Sequence, residues 1–172
     1  MTSYVVTSSG NLMPSYGASL QRRLPKMMKI YTVYPGKVLL SARTHTLTDE
    51  QCAALVKDHG LTGVVNLWHT PDDRMQRLVP WYEQISLPDG QISPRMAQVL
   101  ESLADDVAAE THRHGKVLLH CWGGRNRSGL LAALVLKRLE RISGAVAYDR
   151  VRQVRRGALV NLHFARYLKE QP

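Results

Sequence analysis

The chain reads as a single α/β domain, with a central mixed β-sheet of about four to five strands flanked by helices. Three observations predict this. Short apolar or β-branched runs (KIYTV, KVLLSA, GVVNLW, YEQISL and GKVLLH) alternate with longer segments of helical period. Strands that alternate with helices build a sheet covered on its faces. A length of 172 residues, 44% apolar and 22% charged, suits one domain with a core large enough to stand alone.

Taken in order, residues 1–27 form a basic N-terminal arm or irregular extension, rich in Ser, Gly and Pro and without periodicity. The compact domain spans 28–172. KIYTV and KVLLSA flank a Pro-Gly turn as two short strands. Thr48, with Glu50 and Gln51 behind it, caps a helix over TDEQCAALVKDHG that Gly60 closes. GVVNLW is a buried strand. TPDDRMQRLVP, polar with two prolines, is a loop or broken helix; YEQISL is a weak strand and LPDGQISP a loop. Ser93 and Pro94 start a long helix that carries Met96, Val99, Leu100, Leu103 and Val107 at helical spacing. GKVLLH is another buried strand, and RSGLLAALVLKRLE, SGAVAYDRVRQVR and ALVNLHFARYLKE are three closing helices.

The net charge is +9 and unevenly placed. Residues 1–46 hold six basic residues and no acid, and residues 137–172 hold nine against three acids. Such a chain favours nucleic acid, an anionic membrane surface or a phosphorylated substrate, or simply carries a biased solvated surface. No apolar run reaches the roughly 20 residues of a membrane span. The N-terminus lacks the apolar core of a signal peptide, so a cytoplasmic setting is expected. Two cysteines, Cys52 and Cys121, make neither a disulfide framework nor a zinc cage.

Between the last strand and the apolar helix lies HCWGGRNRSG, His120 to Gly129. Strand, glycine-bearing loop and helix present converging N–H groups and a positive helix end to an anion. The letters fit neither a GK[ST] nucleotide loop nor GxGxxG. Cys121 stands at the strand end beside Arg125 and Arg127, surroundings that stabilise thiolate over thiol. A thiolate is a strong nucleophile that needs no adjacent base. The same amides would bind a phosphate above it, and the Arg127 fork would clamp two phosphoryl oxygens. Ser128 would donate a hydrogen bond to the sulfur.

Cys121, five intervening residues, Arg127 and Ser128 resemble the C-x5-R-[ST] signature of the cysteine-dependent protein tyrosine phosphatase superfamily. The fuller HCxxGxxRSG, at His120, Cys121, Gly124, Arg127, Ser128 and Gly129, resembles its dual-specificity branch, in the compact bacterial or viral form. The likeness covers about residues 28 to 170 and includes VYPGKVLLS, VVNL and VRQVRRGALVNLHFARYL. Trp122 and Gly123 depart from the usual pattern and place a bulky side chain at the rim. The resemblance implies a phosphatase-type loop in which Trp122, Gly123, Gly124, Arg125, Asn126 and Arg127 hold phosphate and His120 supports the loop through hydrogen bonds. It also places Arg156 and Asn161 near that loop.

Covalent transfer of phosphoryl to sulfur must expel an oxyanion, so a carboxylic acid on a nearby loop is required. LPDG and TPDD each offer one. Asp89, 32 residues before Cys121, follows a strand and precedes the long helix, and it is favoured over Asp72; Asp72 and Asp73 are expected to line the rim or face solvent. Cys52 is expected in the core, with a redox partnership to Cys121 left open. No metal and no cofactor is expected, because arginine and amides supply the positive field. Phosphorylated protein is the first substrate class, through phosphotyrosine, phosphoserine or phosphothreonine. A phosphoinositide is second and an RNA 5′ end third, the latter disfavoured because such relatives tend to lack the acid. The rival from another class is a phosphate-binding module without turnover.

Overall fold

In the computed structural model, residues 4–6, 12–14 and 28–172 are described. The expected irregular arm holds one regular feature there, an antiparallel pair of β1 (Tyr4–Val6) and β2 (Leu12–Pro14). The arm's basic residues Arg22, Arg23 and Lys26 lie outside the described residues.

The domain is a five-stranded mixed sheet in the order β3-β4-β7-β5-β6. Its strands are β3 (Tyr31–Tyr34), β4 (Val38–Ser41), β5 (Gly63–Asn66), β6 (Trp81–Gln84) and β7 (Val117–His120). Only the β3–β4 pair is antiparallel; the other three ladders are parallel. β5 and β7 are buried along their whole length, as parallel strands covered on both faces must be.

Alternation of side chains divides the core in two. Val117 and Leu119 of β7 and Val65 of β5 join a cluster with residues of α3 (Pro94–His112), α4 (Arg127–Glu140), α5 (Gly144–Val154) and α6 (Leu162–Lys169). Leu118 and Val64 join a second cluster with Cys52 of α1 (Asp49–His59) and Met75 of α2 (Asp73–Leu78). Residues Arg127 to Leu136 of α4 are buried without interruption. A helix apolar all round has to be central, and α4 packs on α3, α5, α6 and the sheet.

The helix starts follow their caps. Thr48 and Gln51 close a full capping box on α1, and Gly60 ends it at φ 62°. Ser93 and Ser143 cap α3 and α5. TPDDRMQRLVP, expected as a loop or broken helix, contains the short α2, because the Asp72 side chain accepts from Met75 N–H and starts a turn. Other boundaries differ from expectation. The weak strand begins one residue earlier, at Trp81. The last helix starts at Leu162, not at Ala158. Asn161 caps it from His163 and Phe164, and the preceding stretch is drawn to the loop after β7 by a bond from Leu159 N–H to Arg125 O at 3.3 Å. Among the described residues no helix is long and apolar enough to cross a membrane.

Candidate active site

β7 ends at His120, level with Ser41 of β4 and Asn66 of β5 on either side. The chain therefore leaves the sheet at the carboxyl ends of three adjacent parallel strands, where open α/β sheets form their crevice. It turns through residues 121–126 and enters α4 at Arg127. Gly124 makes the turn possible. Its φ is 61°, and a Cβ there would lie 2.4 Å from the carbonyl carbon and oxygen of Ser41. Gly123 meets no such demand; nothing lies within 4 Å of the place its Cβ would take.

Cys121 Sγ lies 3.3 Å from Ser128 Oγ in the first turn of α4, the end of a helix that favours negative charge. The residue is only 2% exposed, yet it lines a cleft of about 390 Å³. Trp122, Gly123, Arg125, Asn126 and Arg127 surround that cleft from the loop, and Asp89 and Arg155 complete it. Of the residues expected at the site, Gly124, Ser128 and His120 stand behind this lining. Arg127 is almost fully buried, and its Nε has no hydrogen-bond partner among the described residues. A buried donor left unpaired costs about 1–3 kcal/mol, a cost that an oxyanion in the cleft would relieve.

Asp89 reaches the cleft from the loop between β6 and α3. Its Oδ2 accepts from Asn126 Nδ2 at 3.1 Å and its Oδ1 from Asn161 Nδ2 at 2.9 Å. Asn161 thus supports the site as expected, but Arg156 does not. Arg156 is exposed and lines a separate groove with Asp149, Arg152 and Gln153. Its neighbour Arg155 does the work instead. Its Nε donates to Gly124 O at 3.3 Å and its terminal nitrogen to Tyr31 Oη at 2.8 Å, with the guanidinium 4.4 Å from the Tyr31 ring. Residue type alone could not choose between two adjacent arginines at a helix end.

The rim is aromatic. Trp122 is 49% exposed; the Arg43 guanidinium lies 3.3 Å from its ring centroid, and Trp68 packs on it at 4.8 Å. Trp68 in turn stands 4.7 Å from the Arg127 guanidinium. Trp68, Arg43 and Arg155 were not singled out from the sequence. Their only local signals were an indole after a buried strand and charges outside the motif.

Two expectations are corrected. Asp72 neither lines the rim nor faces solvent. It is buried, accepts from Thr44 Oγ1 at 2.7 Å and pairs with Arg74 Nε at 3.1 Å. Burial pushes its carboxyl up, but the Thr44 hydroxyl and Arg74 outweigh that and hold it below the ordinary value. His120 has no hydrogen-bond partner at either ring nitrogen among the described residues. It is fully buried, edge-on to the His45 ring at 6.2 Å. Burial, reinforced by His45 and opposed by Asp72, pushes its pKa down to about 3, so the ring is neutral. Its contribution to the loop is packing. Cys52 is core as expected, its thiol pushed up by burial, and it lies in the opposite cluster from Cys121.

The chain is similar to known proteins in family and in fold. The dual specificity phosphatase catalytic domain matches residues 46–171. The chain is similar to the PTP-2 phosphatase of Cydia pomonella, at 21% identity and a TM-score of 0.70 over 83% of this chain and 89% of that one. It is similar to human DUSP28, at 21% identity and 0.66 over 82% and 90%. It is also similar to PTPMT1 solved in complex with PI(5)P, at 17% identity and 0.65 over 82% and 92%. At these identities the likeness is one of fold. No curated protein sequence matches the chain.

Proposed function

The chain belongs to the dual specificity phosphatase catalytic-domain family, and on that premise we propose that it hydrolyses phosphomonoesters of proteins through a cysteinyl-phosphate intermediate. One observation carries the proposal. Cys121 and Arg127, close in sequence, and Asp89, 32 positions before Cys121, line one cleft.

In the first step the Cys121 thiolate attacks phosphorus. A P–S bond forms, the P–O bond to the leaving group breaks, and the Asp89 carboxyl gives its proton to the departing oxygen. Arg127 and the amides of residues 122–127 hold the three equatorial oxygens while charge spreads over them. In the second step the Asp89 carboxylate takes a proton from water, the water oxygen bonds to phosphorus, and the P–S bond breaks. Sulfur leaves as thiolate, eased by the Ser128 hydroxyl 3.3 Å away. Inorganic phosphate departs. A reducing cytoplasmic setting suits a mechanism that needs sulfur unoxidised.

Phosphotyrosine, phosphoserine or phosphothreonine of proteins is the first substrate class. Arg125 and Arg155 in the cleft lining favour a second, the phosphoinositides, whose further phosphates would meet them. An RNA 5′ end ranks third, because Asp89 stands in the cleft. Hydrolysis of a small aryl phosphate in the presence of a chelator tests the proposal. Cys121→Ser should abolish turnover and keep vanadate binding. Full turnover by that variant removes Cys121 as nucleophile, and phosphate binding with no turnover by the unaltered protein leaves only the binding-module reading. Initial rates on a phosphopeptide, a short-chain phosphoinositide and a 5′-triphosphorylated RNA then order the substrate classes.

A further inference from the structure

Asn126 is the last residue of the phosphate-binding loop, and its backbone enters α4 without side-chain capping. Its side chain is engaged elsewhere, at both ends. Oδ1 accepts from Val160 N–H at 2.9 Å and from Asn161 N–H at 3.3 Å, in the segment between α5 and α6. Nδ2 donates to Asp89 Oδ2 at 3.1 Å. Asn161, fixed by that same contact, donates from Nδ2 to Asp89 Oδ1 at 2.9 Å and to Gly90 O at 3.5 Å. Three loops separated by 34 to 72 positions therefore meet on one carboxamide and its neighbour.

The chemistry of the groups gives the arrangement a direction. A carboxyl group held by one amide on each oxygen cannot rotate about its own axis without breaking a bond. Each oxygen has two lone pairs, so one amide on each leaves a second direction free for the proton that Asp89 must exchange. Asn126 is also bonded through the chain to Arg127, so the acid is referenced to the phosphate clamp itself. General acid catalysis is sensitive to that reference, since the proton must lie within hydrogen-bond reach of the leaving oxygen and a misplacement of about 1 Å can cost on the order of a hundredfold.

We propose that Asn126 is the positioning residue for the general acid, its carboxamide latching the Asp89 loop to the phosphate loop at the distance the leaving group spans. This rests on the assignment of Asp89 as the acid. The latch is built from the chain's own hydrogen bonds, so the acid is set before a substrate arrives, and Asn161 is its second half.

The leaving-group dependence of kcat/KM tests it. All aryl phosphates carry the same phosphoryl group, so a defect in the phosphate cradle lowers every rate by one factor, whereas a misplaced acid penalises poor leaving groups most. Asn126→Ala is expected to lose about tenfold more on phenyl phosphate than on a nitrophenyl phosphate. Asn126→Asp, which keeps an acceptor for Val160 and Asn161 but loses the donor to Asp89, should show the same steepening; it separates the latch from simple bracing of the loop. In the Asp89→Asn background, either change should add little to the leaving-group slope. A uniform loss across leaving groups, or a slope effect that multiplies with that of Asp89→Asn, overturns the proposal. Should Asp89→Asn itself leave the slope unchanged, the acid assignment is what fails. Should it steepen the slope while both Asn126 variants do not, only the latch fails.

Discussion

His120 is fully buried at the end of β7, with both ring nitrogens unpartnered among the described residues and its pKa pushed down to about 3. In the unfolded chain the same ring titrates at its ordinary 6.5. Between those values the unfolded chain binds a proton that the folded chain does not, so stability falls as pH falls through that window. From pH 7 to pH 5 the loss is about 1.4 kcal/mol for each of roughly 1.5 units, or about 2 kcal/mol from this residue alone. The interval from pH 7 to pH 5 lies above the ordinary values of the two carboxylates held low in the fold, 3.8 for Asp72 and 4.5 for Glu101, whose stabilisation is lost only at lower pH, as it falls through their depressed folded-state values. Chemical denaturation of the native chain and of His120→Leu at the two pH values isolates the term, because every other group cancels in the comparison. The native chain should lose about 2 kcal/mol more than the variant. Equal losses would mean that His120 is solvated or paired, and the account of a neutral, packed histidine behind the loop would be wrong.

Gly124→Ala should abolish vanadate binding and lower kcat/KM by about a hundredfold or more, because its Cβ would strike the Ser41 carbonyl at 2.4 Å; Gly123→Ala, with open space, should cost far less. Asp72→Ala should lower unfolding stability by about 3 kcal/mol, measured by denaturation, by stripping Thr44 and Arg74 of a buried partner, and should leave the leaving-group slope of the folded enzyme unchanged. Arg155→Ala should reduce kcat/KM on aryl phosphates by about tenfold through the loss of its bond to Gly124 O, whereas Arg156→Ala, in steady-state assays, should cost much less.

The loop that carries Cys121 was legible in the sequence because it is contiguous with the elements that hold it. Strand, turn and helix between Val117 and Glu140 follow one another in the chain, so residue types and spacing carry the geometry with them. α4 was legible to the residue for the same reason, since ten buried positions in a row leave its environment no choice. That Asp89 and not Asp72 reaches the cleft of Cys121 was expected from the flanking elements. That Asp72 is a buried cap could not be expected, because its partner Thr44 lies 28 positions away.

Contacts across the cleft depended on packing. Arg155 and Arg156 are equivalent as letters, but α5 ends at Val154 and Arg155 leaves it with a non-helical backbone, φ −123° and ψ 89°; the docking of α5 against β3 sets that end so that Arg155 meets Gly124 and Tyr31. Trp68 meets Trp122 because β5 lies beside β7, an adjacency no local pattern encodes. Asn126 meets Asp89 across 37 positions, and the α5–α6 segment is bonded to the same carboxamide across 34 and 35. Local sequence thus determined which groups stand in the loop after β7 and in its flanking elements, through bonds along the chain. The tertiary structure decided how they are held relative to one another, because those distances arise from burial shared among distant segments.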